Sequence, residues 1–370
     1  MPLKLNLKNC FFYFLIIFFS SEGYLRLIKS GFNVQPINPS SFVHHEHPTN
    51  FQFRAYHPLN EWGDFLISFD EFGNREMRKL CENGTQFNSS IIFLGDSFTE
   101  AIQVSNNNSF TGLVQKEFCN KKIKISNLGV TSYSPVLSYI QLKDQVVKNK
   151  KINFENSILI HILSENDAKD DKKYFKQIKF LPDKNNSTGI PFIDSKKRIS
   201  ILKSLSRNFY TIRLIRRIVL TMKVNIFDKS KKIPLTNEGR IFSTTDKCYL
   251  ENKDLKITRE FINKINSLAK TYGVRYLLTA VPDNPKNTKI TNYACYKKIA
   301  LNSNIEFIEA PEELFKNPAR YYFQKDLHLN ILGNKLISNK IIKFINSEEF
   351  NQTQRNSKIE TYNYNRTFGE

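Results

Sequence analysis

The sequence predicts an α/β fold: a parallel sheet of about five strands covered by helices on both faces. From residue 90 onward, short apolar runs of strand length alternate with stretches whose apolar residues recur at helical spacing, and the first run closes on a glycine. With 370 residues, 40% of them hydrophobic, the chain can bury a sizeable core, and a charged share of 24% excludes wholesale disorder. The expected domain covers 90–346, with an insertion at 168–254. Before it stand a signal peptide or signal-anchor at 1–23 and an irregular lead-in at 24–89; after it comes a polar tail at 347–370.

Ser90-Ile-Ile-Phe-Leu94 is the first strand, ended by Gly95. Residues 109–119 read as a helix and Lys122–Ser126 as the second strand. Over 134–148, Val136, Leu137, Ile140, Leu142 and Val146 keep helical spacing, and Ser157–Ile162 is a buried third strand. A helix at 255–272 leads to a fourth strand, Val274–Val281. A helix at 290–302, a fifth strand at Ile305–Ile308 and a closing helix at 331–346 complete the alternation. The interval 168–254 is rich in Lys, Arg, Asn and Ser and reads as an insertion over the sheet's edge, where substrate-shaping loops tend to sit. Its apolar-basic stretch Tyr210–Leu220 either packs on the domain or lies on a membrane as an amphipathic helix.

Lys4 and Lys8 precede the apolar run Cys10–Phe19, and the chain turns polar at Ser20-Ser21-Glu22-Gly23. A basic start before roughly ten apolar residues is the pattern of a secretory signal, so the chain is expected to be exported, either membrane-anchored or free on the outer side. The formal charge of +20 suits anionic surroundings but is scattered, as a coding bias of the source would also scatter it. No nucleic-acid recognition pattern accompanies it, and no nucleic-acid partner is expected. The five cysteines form no CxxC pattern; leaving aside Cys10, up to two disulfides are possible in an oxidising compartment, with the pairing open.

In an open parallel sheet, ligands bind beyond the carboxyl ends of the strands. There the chain places Gly95-Asp96-Ser97, then Asn127-Leu128-Gly129, then Ser164-Glu165-Asn166-Asp167, and lastly Asp326-Leu327-His328. A serine hydroxyl becomes a competent nucleophile when a base takes its proton, and histidine does this near neutral pH. A carboxylate two residues earlier can orient the imidazole. The backbone N–H groups of Ser97 and Gly129 and the Asn166 side chain would supply donors to an oxyanion.

This set, with Ile91–Glu100 and Phe323–Asn330 around its two ends, resembles the SGNH or GDSL hydrolase superfamily over about residues 90–165 and 255–345. The resemblance implies a flavodoxin-like three-layer α/β/α fold. It also implies Ser97 as nucleophile, Asp326 and His328 as the rest of a triad, and Gly129 and Asn166 as oxyanion donors. Ser68–Arg75, with the apolar N-terminus, is similar to an exported subgroup linked to envelope acyl groups. Ser164 stands where the third block usually carries glycine.

The expected activity is that of an esterase or deacylase working without metal or cofactor on ester-linked acyl groups of an envelope polysaccharide or lipid. An O-acyltransferase with the same triad and a catalytically silent envelope-binding module are the alternatives. A membrane partner is expected through the N-terminal segment. His44-His45-Glu46-His47 reads as a solvated loop rather than a metal site, and His161, inside an apolar strand, as a core histidine.

Overall fold

A computed structural model describes residues 7–28, 37–57, 61–148, 157–183, 186–195, 208–227, 252–282 and 292–347, with Phe154, Leu205 and Cys248. The strands are β1 (Asn38–Pro39), β2 (His45–Glu46), β3 (Gln52–Tyr56), β4 (Gly63–Ser68), β5 (Ser89–Gly95), β6 (Ile123–Asn127), β7 (Ser157–Leu163), β8 (Lys179–Asp183), β9 (Asn186–Phe192), β10 (Arg275–Ala280) and β11 (Glu306–Ile308). The helices are α1 (Leu7–Leu27), α2 (Ser97–Glu100), α3 (Phe110–Phe118), α4 (Pro135–Leu142), α5 (Asp167–Phe175), α6 (Tyr210–Phe227), α7 (Asn252–Thr271) and α8 (Tyr293–Asn302). Two one-turn helices at Glu313–Lys316 and Pro318–Tyr321 precede α9 (Ile331–Asn346).

The central sheet has the order β11-β10-β7-β5-β6, and every pairing in it is parallel. Counted along the chain this is the doubly wound order 2-1-3-4-5, with its switch point between β5 and β7. The expected five parallel strands and the flavodoxin-like arrangement are therefore present. Every residue of β7 is buried, as an uninterrupted apolar strand requires at the middle of a covered sheet.

The strand pleat sends alternate residues into two cores. Ile91, Phe93, Ile158 and Ile160 pack with Val114, Phe118, Ile337 and Ile341 from α3 and α9. Ile92, Leu94, Leu159 and Leu163 pack on the other face with Leu255, Ile262, Ile265 and Ile299 from α7 and α8. His161 is fully buried within β7 and its Nδ1 lies 2.9 Å from Tyr276 Oη, which satisfies the core-histidine expectation; burial lowers its pKa to about 3, so the ring is neutral.

The lead-in is more ordered than its sequence suggests. β3 and β4 form an antiparallel hairpin, and the loop after them returns to the sheet, where Arg75 N–H donates to Asn127 O at 3.2 Å. The Arg75 side chain is buried: Nη1 donates to Glu100 O and Ala101 O at 2.5 Å each, Nη2 to Val104 O at 2.6 Å and Nε to Asn106 Oδ1 at 2.9 Å. Burial lowers its pKa to about 9, so it remains charged at neutral pH. Cys81–Cys119 joins the lead-in to the residue after α3, and Cys248–Cys295 joins the insertion to α8, which settles the open pairing. The insertion itself contributes α5, the β8–β9 hairpin and α6.

Among the described residues, α1 is the one helix long and apolar enough to cross a membrane, a test that a signal sequence also passes. Most of the expected polar tail, 348–370, lies outside the described residues, as do residues 1–6.

Arg75→Lys keeps one charge but loses the planar fork that serves four acceptors. Leaving buried carbonyls without a donor is expected to cost about 3 kcal/mol, read as a lowered urea midpoint at unchanged m-value.

Candidate active site

Ser97 opens α2 directly beyond the carboxyl end of β5, at the switch point. The turn that carries it depends on Gly95, whose φ of +147° is costly for a residue with a side chain. A Cβ there would lie 2.6 Å from Ile162 O on the neighbouring strand and would also strike Thr99 Oγ1. Asp96 caps the helix, its Oδ1 accepting from Phe98 N–H at 2.9 Å.

His328 arrives from the loop before α9. Its Nε2 is 2.8 Å from Ser97 Oγ, and its Nδ1 is 2.6 Å from Asp326 Oδ1. The three side chains expected from sequence thus form one hydrogen-bonded line. Burial alone would lower the pKa of His328, but the Asp326 carboxylate more than offsets this and the pKa is raised. Burial works in the opposite sense on Asp326, raising its pKa. The bond to His328 outweighs that effect, so the carboxyl ends below its ordinary value and stays ionised.

The turn between Asp326 and His328 is strained, with Leu327 at φ +72°. Glu61, from the loop that connects β3 to β4, holds it in place. The Glu61 carboxylate accepts from Lys325 N–H at 2.9 and 3.0 Å and from Asp326 N–H at 2.9 Å. His57 and Trp62 of the same hairpin border the Asp326 carboxylate. Nothing local in the sequence marks Glu61, which lies more than 260 residues from its partners.

The expected oxyanion donors fare unequally. Gly129 N–H donates to Asn127 Oδ1 at 2.9 Å and is not directed at Ser97. Its glycine is needed for a different reason: a Cβ would sit 2.6 Å from the Thr99 carbonyl carbon and against Glu100 N, so the loop can lie on α2 only without one. Asn166 has its Oδ1 2.6 Å from Ser164 Oγ and donates from Nδ2 to Asp170 Oδ2 at 2.9 Å, leaving one amide hydrogen. No described residue accepts from the N–H of Ser97 or of Ser132, the latter a non-glycine residue at φ +61° in the Gly129 loop.

Ser164 has a role of its own. Its Oγ lies 2.6 Å from Asp96 Oδ2, 2.6 Å from Asn166 Oδ1 and 3.2 Å from Asp167 Oδ1. One hydroxyl proton cannot serve three acceptors. Burial raises the Asp167 carboxyl well above the ordinary range, with the neighbouring Asp96 charge adding to the shift and the Ser164 hydroxyl opposing it.

His44–His47 is not the solvated loop expected. His45 and His47 are buried because β2 runs beneath the Gly129 loop. His45 Nε2 is 2.7 Å from Thr131 O, and His47 lies between Gly73 O (Nδ1, 3.1 Å) and Glu100 Oε1 (Nε2, 2.9 Å). The other Glu100 oxygen accepts from Thr131 N–H at 2.8 Å and from the Thr131 hydroxyl. Burial raises the Glu100 pKa, but the bonds to His47 and Thr131 outweigh it, so the carboxylate stays ionised. Among the described residues, no cluster of three or more His, Cys, Asp or Glu side chains could hold a metal ion.

No family model matches the sequence, and no curated protein matches it. Solved structures of similar shape include a lipolytic G-D-S-L family protein from Veillonella parvula, 12% identical, covering 69% of this chain and 97% of its own, with a TM-score of 0.38. A putative lipolytic protein of the G-D-S-L family from Desulfitobacterium hafniense shows 12% identity, 69% and 98% coverage and a TM-score of 0.38. The acetyl xylan esterase AlAXEase shows 14% identity, 69% and 99% coverage and a TM-score of 0.38. These likenesses are remote, and the functional reading rests on the geometry of the site itself.

Ser164→Ala removes the hydroxyl between the two buried carboxyls and leaves their oxygens facing each other without a donor. A loss of about 1–3 kcal/mol is expected, measured by denaturant unfolding at neutral pH.

Proposed function

We propose that the chain is a serine-dependent esterase or deacylase acting on ester-linked acyl groups. The observation that carries this reading is the unbroken line from Asp326 Oδ1 through His328 to Ser97 Oγ, with contacts of 2.6 and 2.8 Å. Ser97 Oγ attacks the ester carbonyl carbon while its proton passes to His328 Nε2. Asp326 remains ionised and stabilises the imidazolium. Collapse of the tetrahedral species expels the alcohol, which takes the proton back from His328, and leaves an acyl group on Ser97. Water then attacks that acyl carbon with His328 as base, releasing the acid and restoring Ser97.

The oxyanion needs donors that are not already engaged. The Ser97 N–H at the start of α2 meets that requirement. We assign a second donor to the remaining amide hydrogen of Asn166 and a third to Ser132 N–H in place of Gly129. We place the enzyme outside the cytoplasm, where its substrates are acyl groups of envelope polysaccharide or lipid. The apolar α1 and the two disulfides support that placement. An alcohol accepting the acyl group in place of water would make the same triad an O-acyltransferase.

A fluorophosphonate probe is expected to label Ser97 in the wild-type chain, and p-nitrophenyl acetate turnover is expected to disappear in Ser97→Ala. Folded protein that neither labels nor turns over sinks the reading. Running the ester with and without glycan acceptors separates hydrolysis from transfer, since a transferase yields acylated sugar.

His328 must be neutral to act as base, and its pKa is raised above 6.5, so kcat/KM is expected to fall as pH drops through that raised pKa. In Asp326→Asn the carboxylate that raises the pKa is gone. The acid limb then moves to lower pH, and kcat falls on the order of 10²–10⁴-fold. An unshifted limb in the variant would exclude Asp326 as the partner that sets the His328 pKa.

A further inference from the structure

We propose that α6 lies in the headgroup layer of a membrane bearing anionic lipid, held there by an uncleaved α1. Four side chains of α6, Ile215, Ile218, Val219 and Met222, follow the spacing i, i+3, i+4, i+7 and so share one face. Each is 48–52% exposed, although a helix that merely packed on the domain would turn this stripe inward. Arg216, beside the stripe, is exposed and basic, while Arg213 and Arg217 lie on the opposite side of the helix.

What covers the stripe is indicated by where α6 begins. Its first turn is fastened to the last third of α1. Thr211 N–H donates to Glu22 Oε2 at 2.9 Å, Thr211 and Ser21 hydroxyls are 3.1 Å apart, and Arg26 Nη2 donates to Asn208 O at 2.6 Å. The Phe18 and Phe209 rings lie 5.6 Å apart. The rest of α1 presents Phe11, Phe12, Phe14, Ile17 and Phe19 to its surroundings. At 1.5 Å per residue its 21 residues span roughly the thickness of a bilayer's hydrocarbon core. The two helices that bear these exposed apolar surfaces are therefore joined at the end of α1 where a spanning helix leaves the hydrocarbon. A lipid surface is the occupant that fits both, and the exposed Arg216 suits anionic headgroups.

The same contacts argue that α1 stays on the chain. Cleavage near Gly23 would remove Glu22 from the start of α6 and Phe18 from beneath Phe209. The far side of α6 is tied to the domain by Arg217, whose guanidinium lies over the Tyr56 ring at 3.4 Å, so the helix is seated between the membrane and the β3–β4 hairpin.

The test uses the full chain with Cys10→Ser, so that an introduced cysteine is the one free thiol. A nitrobenzoxadiazole label goes on Val219→Cys, and a control label on Lys298→Cys, an exposed position of α8. Both proteins are reconstituted into phosphatidylcholine vesicles with or without phosphatidylglycerol, some carrying nitroxide-labelled lipid. The expected result is blue-shifted emission and nitroxide quenching at 219 but not at 298, stronger with phosphatidylglycerol and weakened by Arg216→Glu. The intact mass of the membrane-purified chain should include residues 7–27. Water-like emission at 219 overturns the proposal, as does an apolar signal that lipid nitroxide does not quench, which would mean that a second copy covers the stripe. A chain cleaved before Tyr24 overturns it as well. Because α1 holds every variant on the vesicle and no ester is turned over, the outcome is independent of the esterase reading.

Discussion

Three backbones meet at the carboxyl end of β5, and they can do so because two of their residues have no side chain. Gly95 lets β5 pass within contact of the Ile162 carbonyl and turn sharply into α2. Gly129 lets the loop after β6 rest on the backbone of Thr99 and Glu100. Add a methyl group at either place and one of the three segments must move. Ser97 sits at the crest of this junction, so its reach toward His328 depends on a packing constraint before it depends on any charge. The topology supplies the location, since the chain leaves β5 and β7 on opposite courses and opens a crevice between them.

The junction is stabilised by ions in places where ions are expensive. Arg75 is buried among carbonyls at the end of α2, and Glu100, inside α2, is buried against His47 and Thr131. A lone buried charge would be strongly destabilising, but each of these has its donors or acceptors filled. Arg75 reaches the segment after Ser97 from the lead-in, and Glu100 links that same lead-in to the Gly129 loop. The segment before the sheet is thus part of the site's frame. Glu61 extends the arrangement to the other side, pinning the turn that presents His328.

The central sheet was legible because its signals are local: β7 is apolar throughout, and the helices around it keep their period. Ser97, Asp326 and His328 were legible for a related reason, as each follows or precedes a strong element at a strand end. The lead-in was not, because its strands are short and broken by Pro, Gly and Asn, and its buried residues are of kinds usually found in water. His47 and Arg75 owe their burial to Glu100 and to carbonyls 25 residues or more away, and no local pattern carries that information. Gly129 was recognised as necessary, but for the wrong atom: the structure uses its missing side chain, while its N–H is engaged by Asn127.

The hydroxyl of Ser164 alters the ionic balance directly behind Ser97. With glycine there, Asp96 and Asp167 would have to settle their repulsion without an intermediary. With serine, one hydroxyl lies within hydrogen-bond reach of both carboxyls and lowers the pKa of each, against the burial that raises them. Serine at this position therefore acts as an electrostatic spacer, favouring the charged form of each carboxyl where burial alone would favour the neutral one.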